Sequence, residues 1–346
     1  MSNNIKISTE LAPDGQAYKT VTLTNKQGMK ISFCDWGATW LSCQVPTAGG
    51  LREVLLGCHS LSAYQKQTGY LGATVGRYAN RITNSTFKLD GISYQLTPNQ
   101  KNHQLHGGPV GFDQQRWQII SLTDNQVEFE LHSADGDQGF PGNLTVTAIY
   151  HLTDNNEFKI QFYAKTDKST PVNLTNHAYF NLDGDGSGDA RRQTLSVDAD
   201  QYLPVDEDCI AIGGLASVTV DDMDLRTPRQ ILDNFSHSAA RNRVKGYDHA
   251  YLLNHHHEVV AKLIAHDQKV AMEIMTNKPG IQVYTGNFLA GTPNRDGKTY
   301  QQYEGIALET AFLPNSPNQA NYPQPSCILN PDEQYTYHTT YRFITK

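Results

Sequence analysis

Apolar and polar residues alternate with a period of two in segment after segment of this chain, with turn residues between. Val21 and Leu23 alternate before Asn25 to Gly28, and Met29, Ile31 and Phe33 alternate after it, which predicts a hairpin. Phe87 and Leu89, then Asp90-Gly91, then Ile92, Tyr94 and Leu96 predict a second, because Asp-Gly favours the tight turn that matches strand twist. Further runs lie at 127–131, 144–152 and 158–164, the last two separated by the turn cluster Asp154, Asn155 and Asn156. Others follow at 259–265, 270–274, 281–285, 306–312 and 335–343. Helical periodicity is confined to short candidates at 61–66 and 229–235. The pattern is all-β, and for so many strands it predicts a large β-sandwich rather than a barrel.

One stretch is unusual in what it puts on its polar face. From Pro171 to Asp183, Val172, Leu174, Ala178, Phe180 and Leu182 fall on one face, interrupted by Asn176. Asn173, Thr175, His177, Tyr179 and Asn181 fall on the other. Water-facing strands carry Lys, Glu and Thr, whereas this face offers neutral donors and acceptors and one imidazole, a set suited to a polyhydroxylated ligand; the plain alternative is an ordinary solvated face. In 305–312, Ile306, Leu308, Thr310 and Phe312 share one face and Ala307, Glu309 and Ala311 the other. An acid between two alanines has space around it, which places Glu309 in a cleft in preference to a solvated surface.

Other constellations are weaker singly. Gly76 to Ile82 holds Arg77, Asn80 and Arg81 near a turn; Arg81 can clamp hydroxyls or pair structurally with a carboxylate. In Leu105-His106-Gly107-Gly108-Pro109 a ligand can approach the backbone closely, or the segment is a simple turn. Gly246-Tyr247-Asp248-His249 and the run from Gly280 to Asn287, with Gln282, add polar groups beside glycines. His255-His256-His257 points to alternate faces and reads as an exposed loop, so no metal site is expected.

Composition narrows the classes. The 346 residues carry 28 Lys plus Arg against 35 Asp plus Glu, a formal charge of −7, with no basic run, which argues against nucleic acid or membrane partners. They are long enough for one or two domains, and with no shift in composition to mark a boundary a single domain over 1–346 is expected. Five scattered cysteines without Cys-x-x-Cys spacing suggest reduced thiols. With no signal-peptide pattern and no run of about 18 apolar residues, a soluble cytoplasmic protein is expected. No phosphate-binding loop or dinucleotide fingerprint is present, so no cofactor is called for.

Asn80-Arg81-Ile82, Leu105-His106-Gly107-Gly108, Asn176-His177-Ala178-Tyr179-Phe180-Asn181-Leu182, Gly246-Tyr247-Asp248-His249, Gln282-Val283-Tyr284-Thr285-Gly286-Asn287-Phe288 and Leu308-Glu309-Thr310 stand in the order found in aldose 1-epimerases, the galactose mutarotases. The chain resembles that family from about Trp36 to the C-terminus. The resemblance implies a large β-sandwich of the galactose mutarotase type (supersandwich), an open sugar cleft and no cofactor. It implies Glu309 as general base, His177 as general acid, and His106 as a second histidine near the sugar. Asn80, Arg81, Asp248 and Gln282, and more weakly Tyr179, fall at hydroxyl-binding positions.

Interconverting α and β anomers of D-galactose or D-glucose needs one base at the C1 hydroxyl and one acid at the ring oxygen, and no metal. A carboxyl with an ordinary pKa of ~4.3 is ready as base at neutral pH, whereas the acid needs its pKa raised, which nearby Glu309 and Asp248 would do for His177 by charge. A non-catalytic carbohydrate-binding module would use the same groups. A glycoside hydrolase would use two carboxylates such as Asp248 and Glu309, but a histidine occupies the acid position. A hexose-6-phosphate 1-epimerase would want further cations beside Arg81, and only Arg77 is at hand. Monomer and homodimer both remain compatible with the sequence.

Overall fold

The computed structural model describes residues 5–233 and 235–346 and is built almost entirely of antiparallel strands. Five strands, Ile5–Leu11, Ala17–Thr24, Lys30–Cys34, Thr39–Thr47 and Gly50–Glu53, form a meander in chain order. A nine-stranded sheet runs from Gln118–Leu122 through Leu144–Leu152, Glu157–Thr166 and Tyr335–Thr345 to Val270–Thr276 and beyond. A six-stranded sheet orders Tyr179–Phe180, Ile306–Ala311, Gly280–Tyr284, Asp248–Leu252, Gln201–Tyr202 and Ala216–Ser217. The expected hairpins form: Ala17–Thr24 pairs with Lys30–Cys34, and Thr86–Leu89 with Ile92–Gln95 across Asp90 and Gly91, both at positive φ as the tight turn demands.

The layers meet through aromatic side chains that alternation delivers to one side. The Trp40 ring lies 4.5 Å from Phe158, 5.6 Å from Phe180 and 5.6 Å from Tyr341. One residue thus ties the meander, the nine-stranded sheet and, through Phe180, the six-stranded sheet. Trp40 is fully buried, and its indole N–H donates to the Ser42 carbonyl at 2.9 Å, so its one polar atom is satisfied. This is the all-β sandwich expected from the strand pattern.

Two local expectations fail. The helix at 61–66 is present as Leu61–Tyr64, started by the Ser60 side chain, but 229–235 holds a strand, Arg229–Gln230, followed by turns, and its Asn234 lies outside the described residues. The second helix is Ala239–Arg243, capped by Ser238. The stretch 171–183 is not one strand either. It is broken into Thr170–Pro171, Thr175–Asn176 and Tyr179–Phe180, each paired with a different partner. Nearly all of it is buried, so neither face is solvated. Among the described residues no helix is long and apolar enough to cross a membrane, and the five cysteines are buried and free.

Replacing Trp40 removes the shared contact of three layers. Trp40→Ala is expected to cost about 3–5 kcal/mol, the range for large aromatic truncations in a core. The check is urea unfolding: a lower midpoint with an unchanged slope supports the assignment, and an unchanged midpoint refutes it.

Candidate active site

Strand register sets the floor of the cleft. Directly opposed residues of antiparallel strands project to the same face. Tyr179 opposes Ala307, Ala307 opposes Tyr284, and Tyr284 opposes Asp248. In the adjacent row Glu309 opposes Gln282, and Gln282 opposes Ala250. Ala307 thus separates Tyr179 from Tyr284. The result is a cleft of about 260 Å³, with Asn80, Arg81, His106 and His177 forming its remaining polar walls. The eight residues for which the family resemblance implies a catalytic or sugar-binding role all line it.

The Glu309 carboxyl sits in a strand whose six residues, Ile306–Ala311, are all buried. Its Oε1 lies 3.5 Å from His177 Nε2. Burial pushes the Glu309 carboxyl up to about 8, the charge of Asp248 pushes the same way, and Arg81 opposes both. His177 goes the other way. Burial lowers its imidazole to about 4, opposed only by a backbone hydrogen bond, so the expected rise by neighbouring acids does not occur. Burial thus works against the charged form of both groups, strengthening the hold of the carboxyl on a proton and weakening that of the imidazole.

Aromatic rings fix both imidazoles. Tyr179 and Tyr70 lie nearly parallel to the His177 ring, at 4.9 and 5.8 Å, and Tyr70 also lies 4.6 Å from His106. The two imidazoles meet edge to face at 5.2 Å. His106 is buried and held well below its ordinary pKa by that burial, with the His177 and Arg81 charges acting in the same direction. Asp248 accepts from Gln282 Nε2 at 2.6 Å and from the Cys209 thiol at 3.2 Å. Gln282 Oε1 is buried with no partner and is left as an acceptor for a ligand hydroxyl. Arg81 donates from Nε to Gln100 Oε1 at 2.7 Å, and Asn80 Oδ1 accepts from the Arg81 main-chain N–H at 2.8 Å.

The sequence placed more of the 171–183 polar face on a ligand than the structure does. Asn173 donates to the Ala79 and Phe312 carbonyls and accepts from the Phe312 N–H. Asn181 donates to the Gly188 and Glu304 carbonyls. These residues satisfy buried backbone, and from that face only His177 and Tyr179 line the cleft. Arg77 is equally remote from it, buried with its guanidinium on Ser133, Ala134 and Pro141. His255, His256 and His257 are exposed, as expected. Tyr70 and Gln100 escaped the sequence reading because both lie in irregular segments; Tyr284 sat within a quoted motif but carried no role.

His106, His177 and Glu309 each bring one potential ligand atom within 4.8 Å of the others, a spacing open to a metal ion. On His106 one of the two ring nitrogens is already engaged, Nδ1 accepting the Asn80 main-chain N–H at 3.2 Å.

The sequence profile of the family described as Aldose 1-epimerase matches residues 19–342. An aldose 1-epimerase from Escherichia coli (strain K12) is 49% identical over 340 residues, covering 97% of this chain and 98% of the relative. A galactose mutarotase from Homo sapiens is 37% identical over 322 residues, covering 91% of each. Among solved structures, an aldose epimerase homologue from C. elegans superposes with a TM-score of 0.87 at 29% identity, over 95% of this chain and 99% of that one. A galactose 1-epimerase from Lactobacillus acidophilus NCFM gives 0.86 at 28% identity, over 99% of both.

The proton inventory can be measured directly. In a ¹³C and ¹⁵N NMR titration of the ligand-free protein, the Glu309 carboxyl is expected to lose its proton near pH 8, while His177 stays neutral until the pH falls to about 4. A carboxyl midpoint near the ordinary ~4.3 would contradict the assignment.

Proposed function

Because the chain belongs to the aldose 1-epimerase family and is an enzyme that interconverts the α and β anomers of aldoses, we propose that Glu309 and His177 are its base and acid. The observation that carries this is the 3.5 Å approach of His177 Nε2 to Glu309 Oε1 on the floor of a cleft lined by neutral hydrogen-bonding groups. Asn80, Arg81, His106, Tyr179, Asp248 and Gln282 hold the sugar. Its substrates are free hexoses such as D-galactose and D-glucose, and the reading extends to a single cytoplasmic catalytic unit.

In ring opening, Glu309 takes the proton of the C1 hydroxyl as His177 protonates the ring oxygen, and the C1–O5 bond breaks to give a free aldehyde. Rotation about C1–C2 exposes the other carbonyl face, and the reverse transfers close the ring. The pair carries one proton throughout. Before opening that proton stands on His177, and afterwards on Glu309. Sugar hydroxyls donating to the carboxylate favour the ionised form and shift the proton toward the imidazole. Each positioned group supplies roughly 10² to 10⁴ in rate. A phosphorylated hexose fits less well, since Arg77, the other guanidinium close to Arg81 in sequence, is turned away from the cleft onto Ser133, Ala134 and Pro141.

Variants separate chemistry from binding. Glu309→Gln is expected to lower turnover by about 10² or more while D-galactose still binds, with His177→Asn behaving alike. Arg81→Ala instead weakens binding of ground and transition states together. Optical rotation of freshly dissolved α-D-galactose measures the rate; turnover of Glu309→Gln within a few-fold of the parent would remove Glu309 from the mechanism and leave the cleft a binding site.

The one-proton requirement also sets the pH profile. Activity is expected to fall above about pH 8, as the last proton leaves the pair, and below about pH 4, as a second is added. A profile that falls from pH 7 toward 5 would place the resting proton elsewhere.

A further inference from the structure

His106 stands where two short strands run out. Gln104–Leu105 pairs antiparallel with Arg81–Ile82, Leu105 opposite Arg81, so Asn80 and His106 are the next pair along. His106 N–H still donates to the Asn80 carbonyl at 3.1 Å. The ladder then stops, because both residues adopt left-handed backbone, φ 64° at Asn80 and 52° at His106. Turned in this way, the Asn80 N–H finds a side chain in place of a carbonyl: it points at His106 Nδ1, 3.2 Å away. Meanwhile the Asn80 side-chain oxygen is occupied by the Arg81 main-chain N–H.

A neutral imidazole has one N–H and one bare nitrogen, and a backbone N–H can only donate. We propose that the Asn80 main chain locks His106 as its Nε2–H tautomer, making His106 a fixed hydrogen-bond donor to an oxygen of the sugar. Asn80 is thereby a positioning residue acting through its backbone, and His106 takes no part in the proton count of the Glu309–His177 pair. The Tyr70 ring at 4.6 Å and the His177 edge at 5.2 Å hold the imidazole in the plane this requires. Neutrality suits the task. A donor kept neutral by its burial stabilises charge developing on the sugar without competing for the proton that His177 must deliver. The same tautomer denies a metal ion the Nε2 lone pair.

The role in turnover rests on the epimerase reading; the tautomer does not. The direct test is ¹⁵N NMR of the full-length histidine-labelled protein, with the His106 signal assigned by its loss in His106→Gln. Nδ1 is expected to be bare and Nε2 protonated from pH 6 to 9, with and without D-galactose. Asn80→Gly, which keeps an N–H at left-handed φ, should preserve this state, whereas Asn80→Val, strained there, should mix the tautomers. In turnover, the Gln amide reaches the Nε2 position and the Asn amide does not. His106→Gln is therefore expected to retain at least about tenfold more turnover than His106→Asn or His106→Ala, where loss of one fixed donor costs roughly 10² to 10³. The pH flanks of His106→Gln should match those of the parent. A protonated Nδ1 in the unmodified protein overturns the proposal, as do equal losses in His106→Gln and His106→Ala. Absence of anomer exchange in the parent would instead count against the epimerase reading and leave the tautomer standing or falling by NMR alone.

Discussion

A carboxyl group enclosed by a sheet is the constraint around which this molecule is arranged. Glu309 occupies a strand with no solvated face, and among the described residues its ion-pair partner within reach is an imidazole, itself buried. Taking a carboxylate out of water favours its neutral form, and doing the same to an imidazolium favours neutral imidazole. Two groups that would exist as ions at the surface are thus brought to share one proton. In the proposed mechanism, proton transfer between them and a substrate changes the position of a charge without changing the number of charges in the cleft.

The sheet supplies the precision this needs. Glu309, Gln282, Tyr284, Asp248 and Tyr179 are placed by register on adjacent hydrogen-bonded strands, so a slip of one residue would turn a whole row to the opposite face. The histidines come from elsewhere. His106 is reached through a two-residue strand pair and a left-handed turn, and His177 lies between two short bridges, so their placement depends on rings packed against them. A rigid sheet carries the carboxylates, and aromatic contacts aim the imidazoles at them.

Neutral groups dominate the rest of the cleft, and this bears on specificity. Amides and phenols exchange hydrogen bonds with hydroxyls at little cost in desolvation, whereas unpaired charge would be expensive in so enclosed a space. The charges that remain are tied down, Asp248 by Gln282 and Cys209, Arg81 by Gln100. Such a lining fits an uncharged, hydroxyl-rich substrate.

Local pattern in the sequence determined most of the strands, the two hairpins and the isolation of Glu309 between alanines, because alternation and turn chemistry act between near neighbours. It also led to the aldose 1-epimerase family through motifs whose spacing survives in the chain. Tertiary structure alone decided which polar groups on 171–183 face a ligand: Asn173 and Asn181 look like His177 in the pattern, yet backbone carbonyls brought from distant segments claim them. It decided the roles of Tyr70 and Gln100, which have no periodicity to betray them, and removed Arg77 from the cleft. Above all it decided how strongly each of the two groups holds a proton. Charge is written in the residue types, but desolvation is a sum over everything packed around a group, and for Glu309 and His177 that sum outweighs the charges the sequence displays.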